Sequence, residues 1–514
     1  MLAFSLERGC STTYTIVKKN NQHPTINKHS MRGLTLTVFI CLSFVQLVAQ
    51  QFQFVVDDAD GISPKVYAER RHRLIDSLPA NGVAVILSAD VRNRQNDVDY
   101  EYRQNSDMLY LTGFPFPYAA LVLCKEPVMI RGRSTREIFF VRNRVAAREQ
   151  WQGVSPGPDE AKHVYGLSAC VDYDSLHIVL LNIFSNTHNQ TGADSSQTAP
   201  SSTVHNKSSL FLSGWSTRSV PLPLLGKNFY LDSEIKKGLL SKFDIPEVIT
   251  PIPALASMRM VKDSSELRLI RKAVDITVQG HLNAMKAALT VTHEYEIEAA
   301  MEYTFKRLGA EDVGYPSIVG SSYNACILHY NQNRRKMNTG NLVLADCGAE
   351  YHGYTADVTR TFPINGNFTA EQRAIYNLVL EAQDSGIAAC RPNAPFKNPH
   401  TAALSVITRG LIELGIITTA TEVKKYFMHG TSHYLGLDVH DVGNRGPLLP
   451  NTVITVEPGI YIAEGADCDK KWWNIGVRIE DDILITNDNP ENLSGALPRT
   501  VEAIQSYMRA AQNR

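Results

Sequence analysis

Val343 to Phe362 reads VLADCGAEYHGYTADVTRTF, and the pairing of its two halves decides how the rest of the chain is understood. Two apolar runs, Leu342–Ala345 and the β-branched stretch Thr355–Thr361, flank a turn-like EYHGY segment, the pattern of a two-stranded hairpin. A turn symmetric about Tyr351 and His352 sets Asp346 directly opposite Asp357 on one face. Two like charges so placed repel and weaken the hairpin, whereas a bound cation turns the same geometry into a binding site. The plainer alternative is that one or both carboxylates point to solvent beyond the strand ends.

Three downstream segments hold more candidate ligands. They are MHGTSHYLGLDVHDVG with His429, His433 and His440, VITVEPGIY with Glu457, and GVRIEDDILI with Glu480. Glu457 ends an apolar strand just before Pro458-Gly459, and Glu480 interrupts another between Ile479 and Asp481. A carboxylate at the end of a buried strand is costly unless it is paired or bound to a metal. Singly, each residue has a bland explanation: a lone histidine satisfied in a core, a glutamate starting a turn, Asp481 and Asp482 solvated or paired. Together, two aspartates, two glutamates and several histidines on apolar segments of one domain favour a site. An oxygen-rich set with few imidazoles and no thiolates suits Mn²⁺, with Co²⁺ or Zn²⁺ as alternatives. Four carboxylates balance two divalent ions, and a hydroxide between two metals is an arrangement used for hydrolysis.

With 514 residues the chain exceeds one ordinary core, so two domains are expected. Its 51 basic and 52 acidic residues leave a net charge of -1, no reason to expect nucleic acid or an anionic membrane as partner. Residues 1 to 30 are polar and basic, but Met31-Arg32-Gly33 followed by the apolar run Leu34–Ala49 has the order of a secretory signal. A start at Met31 and cleavage after Ala49 predict an exported protein with no stable membrane span. Leu47 fits the small-x-small cleavage pattern poorly, which keeps an uncleaved anchor, a mitochondrial-type presequence over residues 1 to 30, and a cytoplasmic location as alternatives.

Residues 62–250 predict a small α/β domain with a mixed sheet. A charged amphipathic helix over Lys65–Leu78 precedes short apolar runs at Val83–Leu87, Met108–Leu111, Ala119–Cys124 and Ile138–Val141. Ser185–Ser209 is too polar to order itself and predicts an exposed insertion, with a sequon at Asn189. Prolines at 251 and 253 mark a domain change. Residues 262–508 then predict an α+β catalytic domain. Its helices start at a capping-box pair Asp263/Glu266, cover Tyr295–Leu308, run Thr369–Cys390 with a second box Thr369/Gln372, and span Ala402–Leu414 up to Gly415. The eight cysteines show no C-x-x-C, so Cys124, Cys326 and Cys347 read as buried thiols.

The order Asp346, Asp357, His433, Glu457, Glu480, in the contexts LADCG, YTADVTRTF, HGTSHYLGLDVHDVG, TVEPGIYI and VRIEDDI, resembles the pita-bread metallopeptidases, and within them the Xaa-Pro aminopeptidases. DYEYRQNSDMLYLTGF, Asp99–Phe114, is similar to the N-terminal domain signature of that group, so the resemblance covers about residues 62 to 508. It implies a C-terminal pita-bread domain preceded by a smaller α/β domain, and two divalent ions, Mn²⁺ by preference. Asp346, Asp357 and Glu480 would hold one ion, with Asp357 and Glu480 bridging to a second held by His433 and Glu457. Glu457 would also serve as general base or proton shuttle for the bridging hydroxide. The resemblance further implies that His329 in ILHY and His440 in DVHD steady the substrate carbonyl and the tetrahedral intermediate, that His429 lines the pocket, and that Arg478 helps define the proline subsite. Asp97 resembles an acid of the first domain that reaches the active site, and Trp151 an aromatic supplied by a neighbouring subunit of a homo-oligomer.

The implied activity is hydrolysis of the Xaa-Pro bond in peptides with proline second. Since that bond carries no N–H, selection rests on pocket shape. The rivals are a prolidase confined to Xaa-Pro dipeptides and a non-catalytic peptide-binding module. The Asp99–Phe114 segment favours the aminopeptidase over the first, and the complete ligand set opposes the second.

Overall fold

Helix and strand signals local to the chain are realised closely. The computed structural model describes residues 60–512 apart from 190–209, 214–220, 225–226, 231–247 and 250–252. The signal-like segment 31–49 and the presequence-like residues 1–30 lie outside the described residues, as does the insertion from 190 to 209. Ser185–Asn189, expected in that loop, instead closes the helix Leu176–Asn189. Among the described residues no helix is long and apolar enough to cross a membrane.

The first portion carries the expected mixed sheet. Its strands lie in the order Val248–Ile249, Leu210–Ser213, Val83–Leu87, Ala119–Ile130, Arg133–Val141, Cys170–Asp172. Ala119–Ile130 is antiparallel to both its neighbours, and the other pairs are parallel. Val83–Leu87 is buried at every position, which is why its sequence is a continuous apolar run rather than an alternating one. Met108–Leu111 departs from the sheet reading: it lies in the helix Ser106–Thr112, because the Asn105 side chain caps Asp107 N at 2.9 Å and Met108 N at 3.2 Å. Pro253, read as an interruption, opens the helix Pro253–Met260, a position where its missing N–H costs nothing.

In the second portion, Ser264–Ala287 packs on Glu294–Arg307 and Ala370–Ala388 on Asn398–Glu413, two helix pairs outside a set of small antiparallel sheets. Both capping boxes are present: Asp263 accepts from Glu266 N at 3.0 Å while Glu266 accepts from Asp263 N at 3.0 Å, and Thr369 and Gln372 exchange the equivalent bonds. Gly415, at φ 66°, follows the helix Asn398–Glu413 as expected. One apolar core runs through both portions, from Leu74 and Phe114 to Leu269 and Val358.

The hairpin exists, but its register is two residues from the expected one. Asp346 pairs with Thr359, and Glu350 with Thr355, so the turn is His352–Gly353. Both turn residues have positive φ, 50° and 79°, as a tight two-residue hairpin requires. Gly353 takes one such position without strain, whereas centring the turn on Tyr351 would force a bulky aromatic into it. Bonds from Cys347 N to Val358 O (3.2 Å) and from Ala356 N to Ala349 O (3.1 Å) carry the register onward. Asp357 therefore stands opposite Gly348, diagonal to Asp346 on the same face. A Cβ on Gly348 would come within 1.8 Å of Ala356 O, so the strands close up here only because this residue is glycine.

Candidate metal centre and substrate cleft

Asp346 ends the strand Leu342–Asp346, and Asp357 sits where the ladder relaxes before Thr359–Pro363. Glu457 follows the strand Val453–Val456, and Glu480 lies between Ile475–Arg478 and Asp481–Leu484. These four strand ends meet the loop bearing His433. Ligand atoms of Asp357, His433 and Glu480 lie within 4.8 Å of one another. His433 Nε2 is 3.4 Å from Asp357 Oδ2 and 3.6 Å from Glu457 Oε1. Asp346 joins through Tyr315, whose hydroxyl is 2.7 Å from Asp346 Oδ1 and 2.6 Å from Asp357 Oδ1.

The donor set fits divalent cations. Burial and mutual repulsion push Asp346 and Glu480 above the ordinary carboxylate range, and burial lifts Glu457 to about 7. Burial opposes a charge on His433, yet the hydrogen bond to Asp357 and the charges of Asp357 and Glu457 raise it to about 9. The cluster thus draws positive charge to its centre. His433 Nδ1 donates to Tyr434 O at 3.0 Å, which leaves Nε2 as the nitrogen that can ligate.

A cleft of about 820 Å³ surrounds the cluster. His329, His429, His440 and Arg478 line it together with all five candidate ligands. Arg478 is buried, and its guanidinium contacts Asp346 Oδ2 (2.5 Å), Tyr461 OH (2.9 Å) and Thr359 Oγ1 (3.3 Å). Thr359 Oγ1 in turn donates to Glu480 Oε2 at 2.6 Å. His429 sits on the same relay, with Nε2 2.9 Å from Tyr461 OH, and burial together with the charge of Arg478 lowers it to about 4. His440 meets His433 edge to face, with ring centroids 4.4 Å apart. The acids beside Glu480 are not solvated: buried Asp481 pairs with buried Arg360 at 2.7 Å, and Asp482 accepts from Asp357 N at 3.1 Å.

Two expected residues are not brought to this cleft. Asp97 lies at the exposed tip of the hairpin formed by Asn93–Gln95 and Val98–Asp99, and it does not line the cleft of its own chain. A tight two-residue turn with exposed flanking strands points the segment outward. Trp151 is 88% exposed at the end of the helix Ala146–Gln152. The residues not anticipated are Tyr315 and Thr359, whose hydroxyls contact Asp346, Asp357 and Glu480, and Tyr461, whose hydroxyl joins Arg478 to His429.

The chain resembles known proteins over most of its length. Metallopeptidase family M24 matches residues 268–487, and the aminopeptidase P N-terminal domain matches residues 67–191. The Xaa-Pro aminopeptidase of Escherichia coli (strain K12) is 34% identical over 88% of this chain and 99% of its own length. Intermediate cleaving peptidase 55, mitochondrial, of Arabidopsis thaliana is 31% identical over 87% of this chain and 83% of its own. The solved structure of aminopeptidase P from E. coli with the inhibitor Pro-Leu superposes with a TM-score of 0.74 at 33% identity, covering 88% of this chain and all (100%) of that one. Pseudomonas aeruginosa aminopeptidase PepP gives a TM-score of 0.74 at 32% identity, covering 88% and 99%. Fold and site define a metallopeptidase of family M24, which uses divalent metal ions. Within it, the chain belongs to the Xaa-Pro aminopeptidases, built as an aminopeptidase P-type N-terminal domain followed by the metallopeptidase domain.

Proposed function

We propose that Asp346, Asp357, His433, Glu457 and Glu480 hold two divalent ions, best matched by Mn²⁺, and that the cleft hydrolyses the Xaa-Pro bond of peptides with proline second. The observation that carries this is the convergence of all five residues on one cleft in a chain 34% identical to an Xaa-Pro aminopeptidase along 99% of that relative. Four carboxylates and one imidazole favour a hard ion such as Mn²⁺. When bound, the ions supply Lewis acidity toward the scissile carbonyl and lower the pKa of water.

The chain's own groups do the rest. His329 and His440, both exposed on the cleft wall, donate to the oxygen on which charge develops. Glu457 takes a proton from the attacking water and passes it to the leaving proline nitrogen, as the general base or proton shuttle. Arg478, fixed by Asp346, Tyr461 and Thr359, walls the space for the proline ring, and selection is by shape because the scissile bond offers no N–H. A homo-oligomer is the assembly in which exposed Asp97 and Trp151 would serve a neighbour's cleft. The region 62–250 supplies that surface and 262–508 the chemistry.

Location follows from residues outside the described ones. The Met31–Ala49 run supports export, while the mitochondrial name of the Arabidopsis relative supports an organellar address for residues 1 to 30. N-terminal sequencing of the mature protein separates the two: a start at Gln50 supports export.

The activity test uses the full-length protein, stripped of metal and reloaded with Mn²⁺, on an Xaa-Pro-Yaa tripeptide and the matching Xaa-Pro dipeptide. Metal-dependent release of Xaa from the tripeptide, abolished in Asp357→Asn, is the expected result. Cleavage of the dipeptide alone would make the protein a prolidase, and cleavage of neither would overturn the reading.

A further inference from the structure

We infer that Arg103, in the first portion of the chain, is a positioning residue for His440 and holds its loop against the hairpin that carries Asp346 and Asp357. The inference rests on the role proposed above for His440. That imidazole is exposed, touches the His433 ring at 4.4 Å between centroids, and makes no hydrogen bond to another described residue. Its place is therefore set by its backbone and the His433 ring rather than by hydrogen-bond partners of its own.

That backbone is gripped by the RQNSD segment. Arg103 engages all five of its N–H donors: Nε to Glu350 Oε2 (3.1 Å), Nη1 to Gln104 O (2.8 Å) and Ser106 Oγ (2.7 Å), and Nη2 to Gly353 O (3.2 Å) and to Leu437 O. Ser106 Oγ passes the link on to Asp438 Oδ1 at 2.6 Å. One planar fork thus ties the turn of the ligand hairpin to the residues just before His440, and Thr355 N adds a direct bond to Gly436 O at 2.9 Å. Arg259 closes the other side, donating to Asp107 Oδ1 and Asp438 Oδ2, each at 2.8 Å, and to Asp441.

A donor aimed at one oxygen loses most of its effect when shifted by ~1 Å, which can cost ~100-fold in rate. Lysine keeps the charge of Arg103 but has neither the plane nor the five donors, so it cannot hold three segments at once.

The test uses the full-length protein saturated with Mn²⁺ and compares Arg103→Lys, Ser106→Ala, His440→Ala and the double variant Arg103→Lys/His440→Ala. Values of kcat and KM for an Xaa-Pro-Yaa tripeptide are determined separately, with melting temperature and metal content alongside. Arg103→Lys is expected to lower kcat by ~10-fold or more with KM within ~2-fold and metal retained, and to add less than ~2-fold once His440 is gone. Ser106→Ala shifts kcat in the same direction by less, and stands in if Arg103→Lys does not fold. Unchanged kcat in both position-103 and position-106 variants while His440→Ala is impaired would overturn the inference alone. Losses that multiply in the double variant, or metal lost together with kcat, would also overturn it. Full kcat in His440→Ala would overturn the role of His440, and this inference with it.

Discussion

Arg478 approaches Asp346 to 2.5 Å, so a candidate metal ligand is already paired with a buried guanidinium, through the oxygen that Tyr315 does not hold. The same guanidinium reaches Tyr461 and Thr359, which makes it the organiser of the cleft floor rather than a lone counter-charge. Arg478→Lys removes the planar fork, and kcat/KM is expected to fall by ~10–100-fold. Steady-state kinetics over a range of Mn²⁺ concentrations up to saturation check this; a loss cured by more metal would assign the effect to affinity instead.

Tyr315 offers one hydroxyl to two carboxylates, Asp346 at 2.7 Å and Asp357 at 2.6 Å. Tyr315→Phe keeps the ring and removes that hydroxyl. Metal affinity is expected to weaken by ~10-fold or more, measured by titrating Mn²⁺ into the stripped protein. An unchanged affinity would show that the phenol does not orient the ligands.

Glu137 and Arg71, neither of which lines the cleft, form a buried pair, with Arg71 Nε 2.7 Å from Glu137 Oε2 and Ser168 N 2.6 Å from Glu137 Oε1. Burial alone would raise this carboxyl, but the charge and hydrogen bonds of Arg71 outweigh it and hold Glu137 below its ordinary value of 4.5. The folded state therefore binds this proton more weakly than the unfolded state. The stability it supplies is complete above pH 4.5 and is lost as pH falls through the depressed folded value. Glu137→Gln is expected to destabilise by about 3–5 kcal/mol at pH 7, because Arg71 keeps a buried charge without its partner. Chemical denaturation at pH 7 and at pH 4 reads both effects: the gap between wild type and variant should narrow at the lower pH.

Gly348 lies between the two ligand aspartates, where a Cβ would meet Ala356 O at 1.8 Å. Gly348→Ala must push the strands apart, and both stability and Mn²⁺ binding should fall together. A variant that melts as wild type and binds metal normally would refute the close-packing argument.

Several features were legible before folding because their causes are local. The capping boxes at Asp263/Glu266 and Thr369/Gln372 span three residues, and a side chain can satisfy an N–H at that distance whatever the tertiary context. Four of the five candidate ligands were legible as carboxylates at apolar strand ends, positions where such groups need a partner, and His433 only by its company in the same domain. Met108–Leu111 was misread because four apolar residues have no period, and the Asn105 cap that makes them helical weighs as much as the run itself.

What the sequence alone determined, then, is the class of chemistry: an oxygen-rich ligand set in a fixed order along an α+β chain. Tertiary structure decided where those groups meet. The hairpin register turned on which of two adjacent pairs takes positive φ, and Gly353 decides that only once the strands close. Tyr315 lies 31 and 42 residues from the carboxylates it joins, and Arg103 lies 247 and 334 residues from Glu350 and Leu437. No periodicity or spacing marks such partners, because a hydrogen bond between distant segments depends on the packing of every element between them.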